Sequence, residues 1–248
     1  MSSLSGKTAL VTGASRGMGR AAALALAEAG ARLFIHYGTN AAAAEEVVAE
    51  ILTKGGQAQG IAADLRTPGG PFDLARQIRD RSGDRLDVLV ANAGICRPAS
   101  IVDTRLEDFD DQFAVNVRAP FFLLQQVLPA LHEGSSVILT SSLTARATVG
   151  DISAYAASKG AVSTLVLHWA AELGARGIRV NGVAPGIIAT DMSEFVETSE
   201  GRDFTLGLQA MKRIATVEDI ARIILFLASD ASGWITGDVI RADGGSKL

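Results

Sequence analysis

The stretch Thr8-Ala9-Leu10-Val11-Thr12-Gly13-Ala14-Ser15-Arg16-Gly17-Met18-Gly19 passes from a short apolar run into a glycine-rich turn. From Gly19 to Ala29 the chain is alanine-rich with helical spacing, and Gly30 closes it. A short apolar run bounded by turn signals reads as a buried strand, so the order is strand, tight turn, helix. The same alternation repeats outward from there. Further strands are expected at 33–37, 58–62, 87–91, 136–140, 178–183 and 239–242, with helices at 41–53, 72–81, 108–131, 153–176 and 217–228. Continuously apolar strands alternating with helices predict an α/β fold: a doubly wound parallel sheet of about seven strands, covered by helices on both faces. No linker, charge block or low-complexity insert interrupts the pattern, so residues 1–248 read as one domain. In such a sheet ligands bind outside the carboxyl ends of the strands.

Composition narrows the function classes. The 248 residues are 48% hydrophobic and 20% charged, enough to bury a sizeable core. Cys96 is the sole cysteine, which excludes an internal disulfide scaffold and points to a reducing compartment. A net charge of −4 argues against a general nucleic-acid or anionic-membrane surface. No apolar run approaches the roughly 18 residues of a membrane span, so no membrane association is expected. His36, His132 and His168 show no metal-ligand spacing with one another or with Cys96, so no metal is expected. The three histidines are scattered, and Cys96 reads as a small hydrophobe near the substrate pocket. The cytoplasm is the expected compartment. Ser246-Lys247-Leu248 also matches the peroxisomal tripeptide, the alternative if the source is eukaryotic.

The glycines of the first turn are spaced Gly-x-x-x-Gly-x-Gly, between a strand and a helix. That context suits a dinucleotide, whose pyrophosphate would sit on the helix N-terminus, with Gly13, Ser15, Arg16, Gly17, Met18 and Gly19 around it. At the end of the second strand an acidic residue would bind the ribose of NAD. This chain has Tyr37, Gly38, Thr39 and Asn40 there, and its next carboxylate is Glu45. Arg16 supplies a permanently charged planar donor for a 2′-phosphate, helped by Thr39 and Asn40. NADP(H) is therefore favoured, with NAD(H) the alternative.

Tyr155 and Lys159 lie four residues apart on one helical face, in a chain with only two tyrosines. A nearby ammonium favours the phenolate and brings a phenol toward use as an acid/base near neutrality. Ser142 falls just past the fifth strand, where its hydroxyl can meet a substrate oxygen, with Ser141 as a substitute.

Taken together, these motifs resemble the short-chain dehydrogenase/reductase family over essentially the whole chain, and are similar in particular to its 3-oxoacyl-[acyl-carrier-protein] reductase-like members. Residues 12–19 match the glycine motif, and Asn92, Ala93 and Gly94 the Asn-Ala-Gly motif. Asn116, Ser142, Tyr155 and Lys159 match the catalytic tetrad. Asp64 and Leu65 fall where the family holds the adenine. Asn181, then Pro185, Gly186, Ile188 and Thr190, match the segment that meets the nicotinamide. The resemblance implies a single Rossmann domain with a substrate lid at about 187–214, and a homotetramer built on helices 108–131 and 153–176 and the last strand. It also implies hydride transfer between the nicotinamide and a carbonyl or secondary alcohol, with Tyr155 moving the proton. Lys159 would lower the Tyr155 pKa and bind the ribose, Ser142 would orient the carbonyl, and Asn116 would hold a water. Candidate substrates are a 3-oxoacyl thioester or a small ketone, sugar or alcohol. Glu133, at the position where carrier-protein reductases often place basic residues, opposes an acidic carrier, although Arg176 is basic nearby. An NAD-dependent alcohol dehydrogenase and a non-catalytic cofactor sensor are the alternatives.

Overall fold

The computed structural model describes residues 3–247. Its elements in chain order are β1 (Thr8–Val11), α1 (Gly17–Glu28), β2 (Arg32–Tyr37), α2 (Ala41–Thr53), β3 (Gln57–Ala62), α3 (Gly70–Ser82), β4 (Leu86–Ala91), α4 (Leu106–Phe113), α5 (Ala119–Val127), β5 (Leu131–Thr140), α6 (Ser153–Leu173), β6 (Arg179–Pro185), α7 (Ser199–Leu208), α8 (Val217–Ala228) and β7 (Val239–Ala242). The seven strands form one sheet in the order β3-β2-β1-β4-β5-β6-β7, and every pairing is parallel. The expected doubly wound α/β sheet is thus present, and the order reverses between β1 and β4. In sheets of this kind ligands bind above the carboxyl ends of the strands at that switch point.

Successive side chains of a strand face opposite ways, and the two faces carry separate cores. Leu10, Phe34, Leu89 and Val137 pack with Leu74, Leu123 and Val166 from α3, α5 and α6. Ala9, Val11, Ile35 and Val90 pack with Leu26, Val47 and Ile224 from α1, α2 and α8. Local chemistry sets the helix starts. Asn40 caps α2 by accepting the N–H of Ala43, and Thr216 with Asp219 forms a capping box on α8. Among the described residues no helix is long and apolar enough to cross a membrane.

Two expected boundaries move. The continuous helix expected over 108–131 is broken: α4 ends at Phe113, Ala114–Arg118 form a wide π turn, and α5 resumes at Ala119 with Pro120 in its first turn. Pro129, which lacks an N–H, sits in the closing 3₁₀ turn Leu128–Ala130. Strand β5 then begins at Leu131, so His132, Glu133 and Gly134 lie inside it, with Gly134 at φ +83°. Beyond β6, residues 191–208 fold as a short 3₁₀ segment, Asp191–Glu197, followed by α7.

Candidate active site

The turn after β1 is welded to the turn after β4. Thr12 Oγ1 accepts the N–H groups of Asn92 and Ala93 at 3.0 and 2.9 Å. Asn92 Nδ2 donates to the carbonyls of Thr12 and Gly13 at 3.0 and 3.3 Å. This contact is so close that no β-carbon fits. One added at Gly13 would lie 2.9 Å from Ala93 Cα, and one at Gly19 would lie 2.2 Å from the Gly13 carbonyl oxygen. Replacing Gly19 by alanine should therefore cost about 3 kcal/mol of stability, by overpacking against backbone, and lower Tm by roughly 6–12 °C. Thermal unfolding of the variant checks this; an unchanged Tm would show that the two turns are not held in contact.

Helix α1 opens at Gly17 with no side-chain cap and no acid in its first turn. Its N-terminal dipole and free N–H groups point into the crevice at the switch point, which suits a diphosphate. Asn92 Oδ1 is buried there without a partner. The residues present fit a dinucleotide: a cradle without β-carbons, an uncapped helix start and an orphaned acceptor.

On the adenine side, β2 ends in Tyr37 and the turn holds no carboxylate. Gly38 has open space around it, whereas the Asn40 carboxamide oxygen is spent on capping α2. Asp64 is engaged by Arg66, which donates from Nε at 3.0 Å and from Nη2 at 2.9 Å. That guanidinium holds the Asp64 carboxyl below the usual range. Leu65 is buried beside it. Arg16 extends to Asp191 at the start of the post-β6 segment, Nη1 to Oδ2 2.8 Å, with both side chains exposed. Sequence reasoning gave Asp191 no part here, and it left His36 unassigned, yet the His36 ring accepts the N–H of Gly13 at 3.0 Å.

The four tetrad residues converge beyond β4 and β5. Lys159, 4% exposed on α6, donates from Nζ to the Thr140 carbonyl at 2.7 Å. Its other two N–H positions are left for further acceptors. A β-carbon at Gly94 would lie 3.4 Å from Lys159 Nζ and 3.2 Å from Asn116 Oδ1. The π turn aims Asn116 inward, where Oδ1 accepts from Ile95 N and Nδ2 donates to Ile95 O and Ser158 Oγ. That side chain therefore fixes the Asn-Ala-Gly turn, and its Oδ1 keeps a second lone pair. Ser142 Oγ accepts from the N–H and hydroxyl of Thr144 at 3.2 and 3.0 Å. Ser141 is no substitute, because its hydroxyl is committed to the Lys159 carbonyl and to Ser163.

The electrostatics depart from expectation. Burial pushes the Tyr155 phenol up to about 12, with the Ser142 hydroxyl pulling the other way. Burial also pushes Lys159 down to about 8. Lys159 Nζ lies over the phenol ring, 5.7 Å from its centroid, so its charge does not bring the hydroxyl near neutrality. The Tyr155 phenol therefore keeps its proton through neutral pH.

Past β6, Gly186 backs onto Asp243, and an added β-carbon would lie 2.9 Å from Asp243 Cα. Ile188 is buried, and its backbone bridges to Ala215. Thr190 Cγ2 comes within 3.7 Å of the β-carbon position of Gly17. Asn181 sits inside β6, 0% exposed, and ties that strand to Ile235 and Asp238. Arg146, four residues after Ser142, donates to Asp243 at 2.6 Å and to the Ser246 carbonyl at 2.7 Å. The same tail zips to the segment leaving α7 through Lys247 N to Leu208 O, Met211 N to Gly244 O and Ala210 N to Gly245 O.

A family model described as Enoyl-(Acyl carrier protein) reductase matches residues 13–247. A versicolorin reductase of Emericella nidulans is 40% identical, over 98% of this chain and 96% of the relative. A trihydroxynaphthalene reductase of Colletotrichum orbiculare is 37% identical, over 99% and 91%. Among solved structures, an angucycline C-6 ketoreductase with bound NADP superposes with a TM-score of 0.94 at 41% identity, covering 100% of this chain and 98% of that one. It has also been solved as a landomycin C-6 ketoreductase with NADP and rabelomycin, TM-score 0.90. The welded glycine turn, the tetrad on its expected elements and this full-length likeness agree: the chain belongs to the short-chain dehydrogenase/reductase family and is an oxidoreductase.

Proposed function

We propose that the protein is an NADPH-dependent ketoreductase that reduces a ring carbonyl of a fused-ring aromatic polyketide. The observation that supports this reading is the apolar character of the segment from β6 to α8. Met192, Phe195, Phe204 and Met211 stand 45–55% exposed on the segment from β6 to α8. These large, flat or pliable apolar side chains suit an aromatic ring system more than a sugar or a flexible thioester arm. Relatives that act on versicolorin, hydroxynaphthalenes and angucyclines support it. We assign residues 187–214 as the lid.

NADPH, when bound, supplies the hydride. Gly13 to Gly19 and the start of α1 would hold its diphosphate, Arg16 with Thr39 and Asn40 the 2′-phosphate, and Asp64 and Leu65 the adenine. Ala93, Gly94, Pro185, Gly186, Ile188 and Thr190 would surround the nicotinamide end, with Lys159 donating to its ribose. Ser142 donates a hydrogen bond to the substrate carbonyl, and Tyr155 gives that oxygen its proton. The Tyr155 phenol, held near 12, keeps its proton at neutral pH and favours reduction over alcohol oxidation.

A carrier-bound 3-oxoacyl substrate is less suited. Arg176 spends its guanidinium on the carbonyls of Leu128 and Leu131. Glu133 lies in β5 near Gly177, at the end of that strand opposite Ser142.

NADPH oxidation followed by absorbance, with a hydroxynaphthalenone, an angucyclinone, a small ketone and a 3-oxoacyl thioester, tests the proposal. A fused-ring ketone should give a kcat/KM at least about tenfold above the thioester, the worth of one good apolar contact surface. Preference for the thioester, or for NADH with every ketone, would remove this reading.

A further inference from the structure

Strand β2 is apolar and buried from Leu33 to Ile35, and His36 follows at 2% exposure. Its carbonyl accepts the N–H of Ala14 at 2.9 Å, and its ring Nδ1 accepts the N–H of Gly13 at 3.0 Å. One residue thus takes two consecutive donors of the glycine turn. The far nitrogen, Nε2, meets the Ala63 carbonyl at 3.1 Å, just past the end of β3. A carbonyl only accepts and an amide N–H only donates, so both bonds form together in one species: neutral imidazole with its proton on Nε2. Burial, opposed by the Ala63 carbonyl, pushes the ring down to about 4, so this species persists through the neutral range.

The two partners belong to different halves of the crevice. Gly13 opens the turn that leads into α1, and Ala63 precedes Asp64 and Leu65. Gly13 is also held from the other side, by Asn92 and by the closeness of Ala93. We propose that His36 is a positioning residue for the cofactor, a rigid strut that sets the separation of the diphosphate and adenine subsites. The role rests on the dinucleotide reading above. It also redefines Gly13, whose N–H is spent on the strut, so that the phosphate-facing donors begin further along the turn.

Three variants separate the two bonds. His36→Leu removes both. His36→Asn places an oxygen where Nδ1 lies and keeps the acceptor for Gly13. His36→Gln places its amide near Nε2 and keeps the partner for Ala63. Steady-state kinetics with NADPH, calorimetric NADP binding and Tm are measured for each. Leaving the part-buried Gly13 N–H without an acceptor should raise the NADPH KM about tenfold in the leucine variant, with kcat within about twofold. The asparagine variant should return to within about threefold of wild type, and the glutamine variant should stay near leucine.

Wild-type NADPH affinity in His36→Leu would overturn the proposal. So would loss of kcat, NADPH KM and ketone KM together, with asparagine no better than leucine, since that is the mark of a general packing role. If the leucine variant does not fold, the two amides decide, and equal affinities overturn it. Nitrogen NMR of the wild-type ring gives an independent reading, and a proton on Nδ1 would overturn the strut. Failure of the wild-type protein to bind NADPH at all would instead remove the dinucleotide reading.

Discussion

Tyr155→Phe lowers kcat for carbonyl reduction by about 10²–10⁴-fold, the usual worth of a positioned acid. NADPH affinity stays near wild type, because the change removes one oxygen and leaves Lys159 and the glycine turn in place. The pH profile carries the second half of this prediction. Burial holds the phenol near 12 and the Lys159 ammonium near 8. A lysine is charged below its pKa, so kcat/KM for reduction is level through neutrality and falls as pH rises through about 8. No limb from loss of the Tyr155 proton enters until far higher. A profile that instead climbs between pH 7 and 9 would contradict the neutral phenol as donor. A Tyr155→Phe enzyme with undiminished kcat would end its role as the acid.

Arg16→Ala raises the KM for NADPH by about 10–100-fold, the scale of a charge-assisted hydrogen bond to phosphate. The KM for NADH stays nearly constant, since NADH lacks the group that Arg16 meets. The present partner of Arg16 does not stand in the way. Its ion pair with Asp191 is exposed on both sides, 73% and 63%, and such pairs are worth under about 1 kcal/mol. A phosphate dianion offers more charge and more acceptors to the same guanidinium. Equal losses for NADPH and NADH would place Arg16 in general loop support and refute the phosphate assignment.

Most of the architecture was legible because parallel strands buried on both faces are written as unbroken apolar runs. β1, β2 and β4 stood out for that reason, and the helices between them followed from their spacing. The helix expected over 108–131 failed where periodicity is blind. A π turn inserts one residue per turn without altering composition, and the bonds that accompany it are distant ones, from Asn116 to Ile95 and Ser158. Pro120 and Pro129 were the visible signs. The tetrad was legible through the spacing of Tyr155 and Lys159, but their ionisation was not, since burial outweighs the pairing that sequence suggests. His36 was passed over as a scattered histidine. The signal was there, a polar ring closing an apolar strand that runs beside the glycine turn. Arg16 with Asp191 and Arg146 with Asp243 join residues 175 and 97 positions apart, and no local pattern announces such pairs.

The knot formed by Arg146, Asp243 and Ser246 bears on how this scaffold can be re-engineered. The stretch from Leu208 to Met211 is hydrogen-bonded backbone to backbone with residues 244–247, and Arg146 fastens that tail to the loop bearing Ser142. The proposed lid and the tail, separated along the chain by α8 and β7, are joined as one cassette with two insertion points. A graft that exchanges residues 191–213 with a relative of different selectivity, while keeping the native tail, would mismatch the zipper. It would also tilt the Ser142 loop through Arg146. Chimaeras in which both pieces come from the same donor preserve the join, and selectivity can then be transplanted without disturbing the Ser142 loop.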